Sequence, residues 1–233
     1  MVSNELHIIM PVKDALQQAE EAIRAIVAAG HSLTVYDDNS TAETAERLEA
    51  LRQELGIQVV HVGQETDTPS PNYRWVLMQA QRTCIEQDKH LVIIESDVMV
   101  RPGTIERMAQ AVTDRTGMVA AVTTDEQGQI NFPYEYARRI PTDGVCKKRF
   151  SFCCTLLTKR LLAAYDFAAL DATKNWYDVF ISHTSRQLGF ENILQVSNPV
   201  LHKPHSSRPW KQLKYTHPLL YYWRKLTQQR DKI

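Results

Sequence analysis

Cysteine is scarce in this sequence: 233 residues hold four, Cys84, Cys146, Cys153 and Cys154, and no two stand in a CxxC spacing. A secreted disulfide framework would be denser, so the four are expected as reduced core thiols. Long hydrophobic runs are missing too. None approaches the ~18 residues that a membrane span needs. The N-terminus has no basic stretch followed by a long apolar one, so no signal peptide is expected. A cytoplasmic protein follows from these absences, one that works either in solution or on the inner membrane surface. Glycine numbers only eight, and none lies in the Pro11-Val12-Lys13 segment that follows the first apolar run. That removes the glycine-rich loop on which a triphosphate usually rests. Internal repeats and low-complexity stretches are absent as well.

What is present suits one folded domain. The chain is 43% hydrophobic and 23% charged, close to the average of soluble globular proteins. Its 27 basic and 27 acidic residues cancel, but unevenly. Eight basic residues and one acid fall after position 198, which leaves 19 basic and 26 acidic residues before it. Such asymmetry points to an anionic partner near the C-terminus, phosphate or lipid.

Apolar patterning predicts an α/β chain. Strands are expected over 6–12, 32–36, 57–62 and 91–95, with helices over 14–29, 42–55 and 73–87 between them. Residues 63–71 read as a loop. Alternation of this kind builds a parallel sheet covered on both faces. Later strands are expected over 118–122, 150–157 and 193–201, helices over 159–165 and 175–187, and a long polar loop over 125–144.

In open sheets of this type ligands bind beyond the carboxyl ends of the strands. Three polar clusters lie at such ends: Pro11-Val12-Lys13-Asp14, Asp37-Asp38-Asn39-Ser40-Thr41 and Glu95-Ser96-Asp97. Two acids spaced by one residue suit a divalent cation, because hard cations prefer carboxylate oxygens; they also suit a solvated strand end. The Asp37–Thr41 run makes turns and caps helices readily, yet a carboxylate there is also a natural acceptor for a nucleobase N–H. His202 follows a late strand and is either a metal ligand or part of a basic loop. Asp178 opens a helix, where an acid favours the dipole and where a general base would equally serve.

Taken together, these residues resemble the family-2 glycosyltransferases with the GT-A fold, over roughly residues 6–205. The opening Ile8-Ile9-Met10-Pro11-Val12-Lys13 is similar to the family's first strand. Asp37-Asp38-Asn39-Ser40-Thr41 resembles its Asp-Asp-Gly-Ser turn, and Glu95-Ser96-Asp97 stands where the family has Asp-x-Asp. Asp178 through Gly189-Phe190 is similar to its stretch of Glu-Asp, helix, glycine and aromatic, with Tyr177 in place of the Glu. Pro199-Val200-Leu201-His202 matches the strand that closes on a histidine.

The resemblance implies a GT-A (Rossmann-like) mixed, mainly parallel sheet flanked by helices, in a single domain over 1–207. Its nucleotide-binding half would cover about 1–100 and its acceptor half about 101–207, with a helical, basic and aromatic tail over 208–233. It implies Asp178 as catalytic base and Asp97 with His202 at a Mn2+ or Mg2+ ion. Pro11, Val12, Lys13, Asp38, Asn72, Arg74, Glu95 and Ser96 would contact the donor. The implied reaction is an inverting transfer of sugar from a nucleotide-diphosphate donor to an acceptor hydroxyl, in cell-surface glycan or polysaccharide synthesis. A glycan or lipid-linked molecule would accept it. The tail either touches a membrane or packs on protein, including a second copy; no nucleic acid is expected. Two alternatives remain open at this point: a catalytically inactive nucleotide-sugar-binding homologue, because Glu95 and Tyr177 depart from the pattern, and a nucleotidyltransferase.

Overall fold

A computed structural model describes residues 5–174, 176–203 and 217–227. The chain divides into two compact units, 1–203 and 204–233. In the first unit β1 (Leu6–Val12), α1 (Leu16–Ala28), β2 (Thr34–Asp37), α2 (Ala42–Leu55) and β3 (Gln58–His61) come in order. The single turn α3 (Val62–Glu65), then α4 (Tyr73–Glu86) and β4 (His90–Ile94), follow. The second half holds β5 (Val98–Met99), α5 (Thr104–Gln110), β6 (Thr116–Thr124), β7 (Gly144–Val145), β8 (Cys154–Leu157), α6 (Lys159–Ala164), α7 (Tyr177–Gln187) and β9 (Glu191–His202). In the second unit α8 spans Pro218–Thr227.

The strands form one mixed sheet in the order β3-β2-β1-β4-β8-β6-β9-β5, with β7 added on β9. Strands β1 to β4 pair in parallel, and β6 runs parallel to β9. Strand β8 enters antiparallel between β4 and β6. This is the mixed sheet flanked by helices that the sequence predicts.

Alternation explains how both faces are covered. Along β1, Ile8, Met10 and Val12 join one core with Ile23 and Ile26 of α1, while Ile9 joins the other with Val76 and Leu77 of α4. Strand β4 does the same, with Val92 and Ile94 on the first face and Leu91 and Ile93 on the second. Strands buried on both faces read as unbroken apolar runs, so their polar neighbours are displaced to the ends. Helix α2 stops where Gly56 takes φ 68, a left-handed turn that glycine adopts without a Cβ penalty.

Expectation and structure differ in several places, among them the loop expected over 125–144, in which Glu135–Arg139 form a 3-10 helix. Residues 63–71 are not all loop, because the chain turns once at α3 and buries Val62. Strand β8 begins at Cys154 rather than 150: the Phe150 and Ser151 amides donate to the Ser182 and Tyr134 hydroxyls instead of to a neighbouring strand. Helix α5, at seven residues, is too short to announce itself by periodicity. All four cysteines are buried free thiols.

Helices α1 and α2 are joined by a charge cluster. Glu20 accepts from Arg47 at 2.8 Å and from Arg24 at 3.0 Å, and Arg24 also grips Glu54 at 2.8 and 2.9 Å. The Arg47 hydrogen bond, helped by Arg24 and opposed by burial, holds the Glu20 carboxyl down at about 2. A depressed carboxylate stabilises the fold above its unfolded value and loses that contribution as pH falls through the folded one. Acid titration of Glu20→Gln against the parent protein therefore has an expected form. The variant is less stable at neutral pH, and the gap closes as pH falls from about 4.5 toward about 2. A pH-independent gap would contradict the assignment.

Candidate active site

The carboxyl ends of β1, β2 and β4 meet on one rim because the strands are parallel and paired in register. Val12 lies opposite Asp37, and the Asp38 amide donates to the Val12 carbonyl at 2.9 Å. Beyond β1 the backbone of Asp14 and Ala15 is left-handed, at φ 56 and 53. Left-handed non-glycine residues cost about 1–3 kcal/mol each and need outside support. Support comes from the β2 turn: the Asp14 amide donates to Ser40 Oγ at 2.9 Å, the Thr41 amide to Asp14 Oδ1 at 2.8 Å, and Lys13 Nζ to the Asn39 carbonyl. Pro11 is half-buried, Val12 buried and Lys13 exposed.

Asp38 is buried and anchors the loop before α4. Its Oδ2 accepts from Ser70 Oγ at 2.8 Å and the Asn72 amide at 2.9 Å, and its Oδ1 from Asn72 Nδ2 at 2.8 Å. A carboxylate offers about four acceptor sites, so capacity for one further donor remains. Asn72 Oδ1 is also buried, with no hydrogen-bond partner among the described residues. The Arg74 guanidinium donates to the Leu170 and Ala168 carbonyls at 2.8 and 2.6 Å, and so fastens the 3-10 turn Phe167–Ala169 to α4.

At the end of β4, Glu95 is half-buried and its Oε2 accepts from the Cys153 thiol at 3.3 Å. Burial first, then the Glu95 charge, pushes that thiol well above its usual range. Ser96 and Asp97 are buried. Pairing of β5 with β9 sets Val98 opposite His202, and this brings Asp97 Oδ2 to 3.5 Å from His202 Nε2. The other ring nitrogen, Nδ1, lies 2.8 Å from the Phe132 carbonyl, which can only accept. That fixes the tautomer: Nδ1 carries the proton and Nε2 keeps its lone pair toward Asp97 whenever the ring is neutral. Burial alone would lower the imidazole's pKa, but Asp97, Glu95 and the Phe132 carbonyl together raise it.

Asp178 opens α7, half-buried, with Oδ1 accepting from the Val179 amide at 2.8 Å. Its carbonyl accepts from Ser182 Oγ at 2.7 Å, and the same hydroxyl accepts from the Phe150 amide at 3.1 Å. The short segment from Phe150 to Cys153 thus connects the start of α7 to Glu95. Tyr134, wholly buried, holds that segment by donating to the Ser151 carbonyl and accepting from its amide, both at 3.0 Å. Ring packing adds a second link, from Tyr177 to Tyr73 at 6.3 Å and from Tyr73 to Phe152 at 6.2 Å.

Several residues were not singled out from sequence. His61, Glu49 and Gly63 surround the Asp37 side of the β2 turn, where a cavity of about 590 Å3 opens. That cavity excludes Asp38, Asp97 and Asp178. Phe132 and Tyr134 stood out only as aromatic residues of an acceptor loop and Cys153 only as a core thiol; the contacts they make, through a backbone carbonyl, a buried hydroxyl and a thiol, leave no signal in a lone sequence. Among the described residues no group of three or more His, Cys, Asp or Glu could hold a metal unaided. A cation here would have Asp97 and His202 as protein ligands and would take the rest of its shell from a bound anion.

Comparison with known proteins bears on the fold and the family. The family model described as glycosyl transferase family 2 matches residues 7–184. Among curated proteins none matches the chain in sequence. The fold is similar to that of the mannosyltransferase PcManGT from Pyrobaculum calidifontis, solved with GDP-Man and Mn2+, at a TM-score of 0.64 and 12% identity. That alignment covers 95% of this chain and 64% of the other. Residues 1–349 of TarS from S. aureus align at a TM-score of 0.63 and 13% identity, over 85% of this chain and 60% of theirs. The same TarS segment with UDP aligns at 0.62 and 12%, over 90% and 63%. This chain therefore spans less than two thirds of each of these structures. A family match over most of the chain, on a sheet with this strand order and this rim, places the protein in glycosyl transferase family 2, with the GT-A fold.

Proposed function

We propose that the chain is a metal-dependent, inverting glycosyltransferase that moves a sugar from a nucleotide-diphosphate donor to an acceptor hydroxyl in cell-surface glycan or polysaccharide synthesis. One observation carries the reading: Asp97 and His202 face each other at 3.5 Å with the far imidazole nitrogen on the Phe132 carbonyl. A hard carboxylate oxygen beside an oriented imidazole suits Mn2+ or Mg2+ with positions left for phosphate oxygens. When bound, such a cation neutralises the diphosphate and stabilises its departure. Similarity to a mannosyltransferase solved with GDP-Man and Mn2+, and to TarS solved with UDP, supports a nucleotide-sugar donor.

The remaining work falls to side chains. Pro11, Val12, Lys13 and Asp38 border the base, where the unused acceptor capacity of Asp38 and Asn72 Oδ1 would take N–H or O–H donors. Glu95 and Ser96 lie beside the sugar diphosphate. Asp178 takes the proton of the acceptor hydroxyl as that oxygen attacks the anomeric carbon, opposite the leaving group. A single displacement inverts the anomeric centre. With Asp178→Asn, transfer is expected to fall by about 10²–10⁴-fold, while the affinity for GDP or UDP with Mn2+ changes by less than about twofold. Retention of full transfer activity would remove Asp178 from the mechanism.

We also propose that the C-terminal segment meets an anionic lipid surface, where a lipid-linked acceptor would be found. Helix α8 exposes Leu219, Tyr222 and Trp223 at 89%, 52% and 61%, positions that share one helical face. Basic residues dominate positions 199–233, which complements anionic headgroups. No helix among the described residues is long and apolar enough to cross a membrane, so contact would be peripheral. The full chain should float with phosphatidylglycerol-containing vesicles, bind phosphatidylcholine vesicles less, and lose binding in a Leu219→Glu, Trp223→Glu variant. Equal flotation of variant and parent, or a parent that never floats, would overturn this; loss of a dimer in the same variant would identify a second copy as the occupant instead.

A further inference from the structure

The Asp37–Thr41 turn is held by residues that the mechanism above does not use. His61, the last residue of β3, lies between two carboxylates: Nδ1 is 2.8 Å from Asp37 Oδ2, and Nε2 is 3.0 Å from Glu49 Oε1. A neutral imidazole has one N–H, so only the protonated ring donates to both acids at once. Asp37 in turn accepts from the Ser40 amide through Oδ1 at 3.1 Å, which closes the turn carrying Asp38. Two residues on, Gly63 presses against the same turn. A Cβ there would stand 2.1 Å from Asn39 Oδ1, and Asn39 is itself left-handed at φ 56.

We propose that His61 is a positioning residue: in its charged form it clasps Asp37 of β2 to Glu49 of α2 and holds the nucleotide-binding turn in place, so that donor affinity weakens as His61 loses its proton. The charged groups around it are Asp37 from β2 and Glu49 and Glu46 from α2, with Arg52 on Glu49 at 2.7 Å. The neighbouring α3 contributes only uncharged Gly63 and Gln64 to the same cavity. That cavity opens beside the ring, which gives solvent protons access. Burial alone would lower the pKa of His61, and the hydrogen bonds it donates to Asp37 and Glu49 more than offset that, leaving it raised. A raised histidine stabilises fully below its unfolded value of about 6.5 and loses the contribution as pH rises through the folded one. The clasp is therefore closed in mildly acidic solution and opens as pH rises through the raised folded-state value. A slackened turn also loosens the Asp38 carboxylate that fastens Ser70 and Asn72.

The inference rests on reading the Asp38 turn as the nucleotide site, and its test separates the two. Hydrogen exchange over peptides containing residues 37–41, corrected for intrinsic rates, needs no nucleotide. Protection in the parent protein should fall as pH rises above about 6.5. His61→Arg, which keeps charge and several donors at every pH, should hold protection flat, and His61→Gln should be low throughout. GDP and UDP affinities with Mn2+ should then fall on the order of tenfold in the parent relative to His61→Arg across that range. The comparison cancels any pH dependence from Asp97 and His202, which both proteins share. If the arginine does not fit, Glu49→Gln should move the loss of protection to lower pH. A parent whose pH profile matches that of His61→Gln would overturn the clasp. Correct exchange behaviour with no effect on nucleotide would keep the clasp and remove the site reading.

Discussion

The in-register parallel pairing of β1 with β2 and β4 governs this molecule. Side chains alternate across a strand, so a slip of one residue would send the apolar set of β1 to the opposite face and drag its polar end out of line. With Val12 opposite Asp37 and Ile9 opposite Ile93, three apolar strands end at one level. The residues that cannot be buried in the sheet then emerge together. Both cores enforce the register, because each face of β1 and β4 is packed.

Much of the polar chemistry on that rim is already engaged with the protein itself. Asp38 fastens the loop before α4, Asp37 meets His61, Lys13 donates to the turn, and Arg74 secures a distant backbone. Groups held this way need little rearrangement when a charged ligand arrives, which is how a preorganised site keeps its electrostatic advantage. Asp97 and His202 illustrate the same economy. Their approach depends on the pairing of β5 with β9, and the ring is oriented by a carbonyl from a different loop. The two residues are 105 positions apart in sequence.

Legibility from sequence followed the range of the interactions. Unbroken apolar runs announced β1 and β4, and helix α2 was readable to the residue because Thr41 and Gly56 bracket it. The polar strand ends drew attention to Asp38, Asp97 and His202 as candidates, and the family resemblance supplied their expected roles. Arg74 stood out through the family resemblance, but its bonds to the carbonyls at 168 and 170 were not legible. His61 escaped notice because its partners lie 24 and 12 residues away and neither sits beside it in sequence. The strand expected from 150 failed for a related reason: side-chain hydroxyls from 134 and 182 took the backbone donors. Three short elements, α3, α5 and β5, lack the length on which periodicity depends.

Asp38, Asp97, His202 and Asp178 are proposed to border one cleft for a cation and a nucleotide diphosphate. A crystal structure grown with GDP or UDP and Mn2+, with anomalous scattering recorded at the manganese edge, tests it most directly. Manganese is expected on Asp97 and His202, with diphosphate oxygens completing its shell, the base against the Asp38 turn and Asp178 facing the open side. Manganese or nucleotide seated elsewhere on the molecule would contradict it.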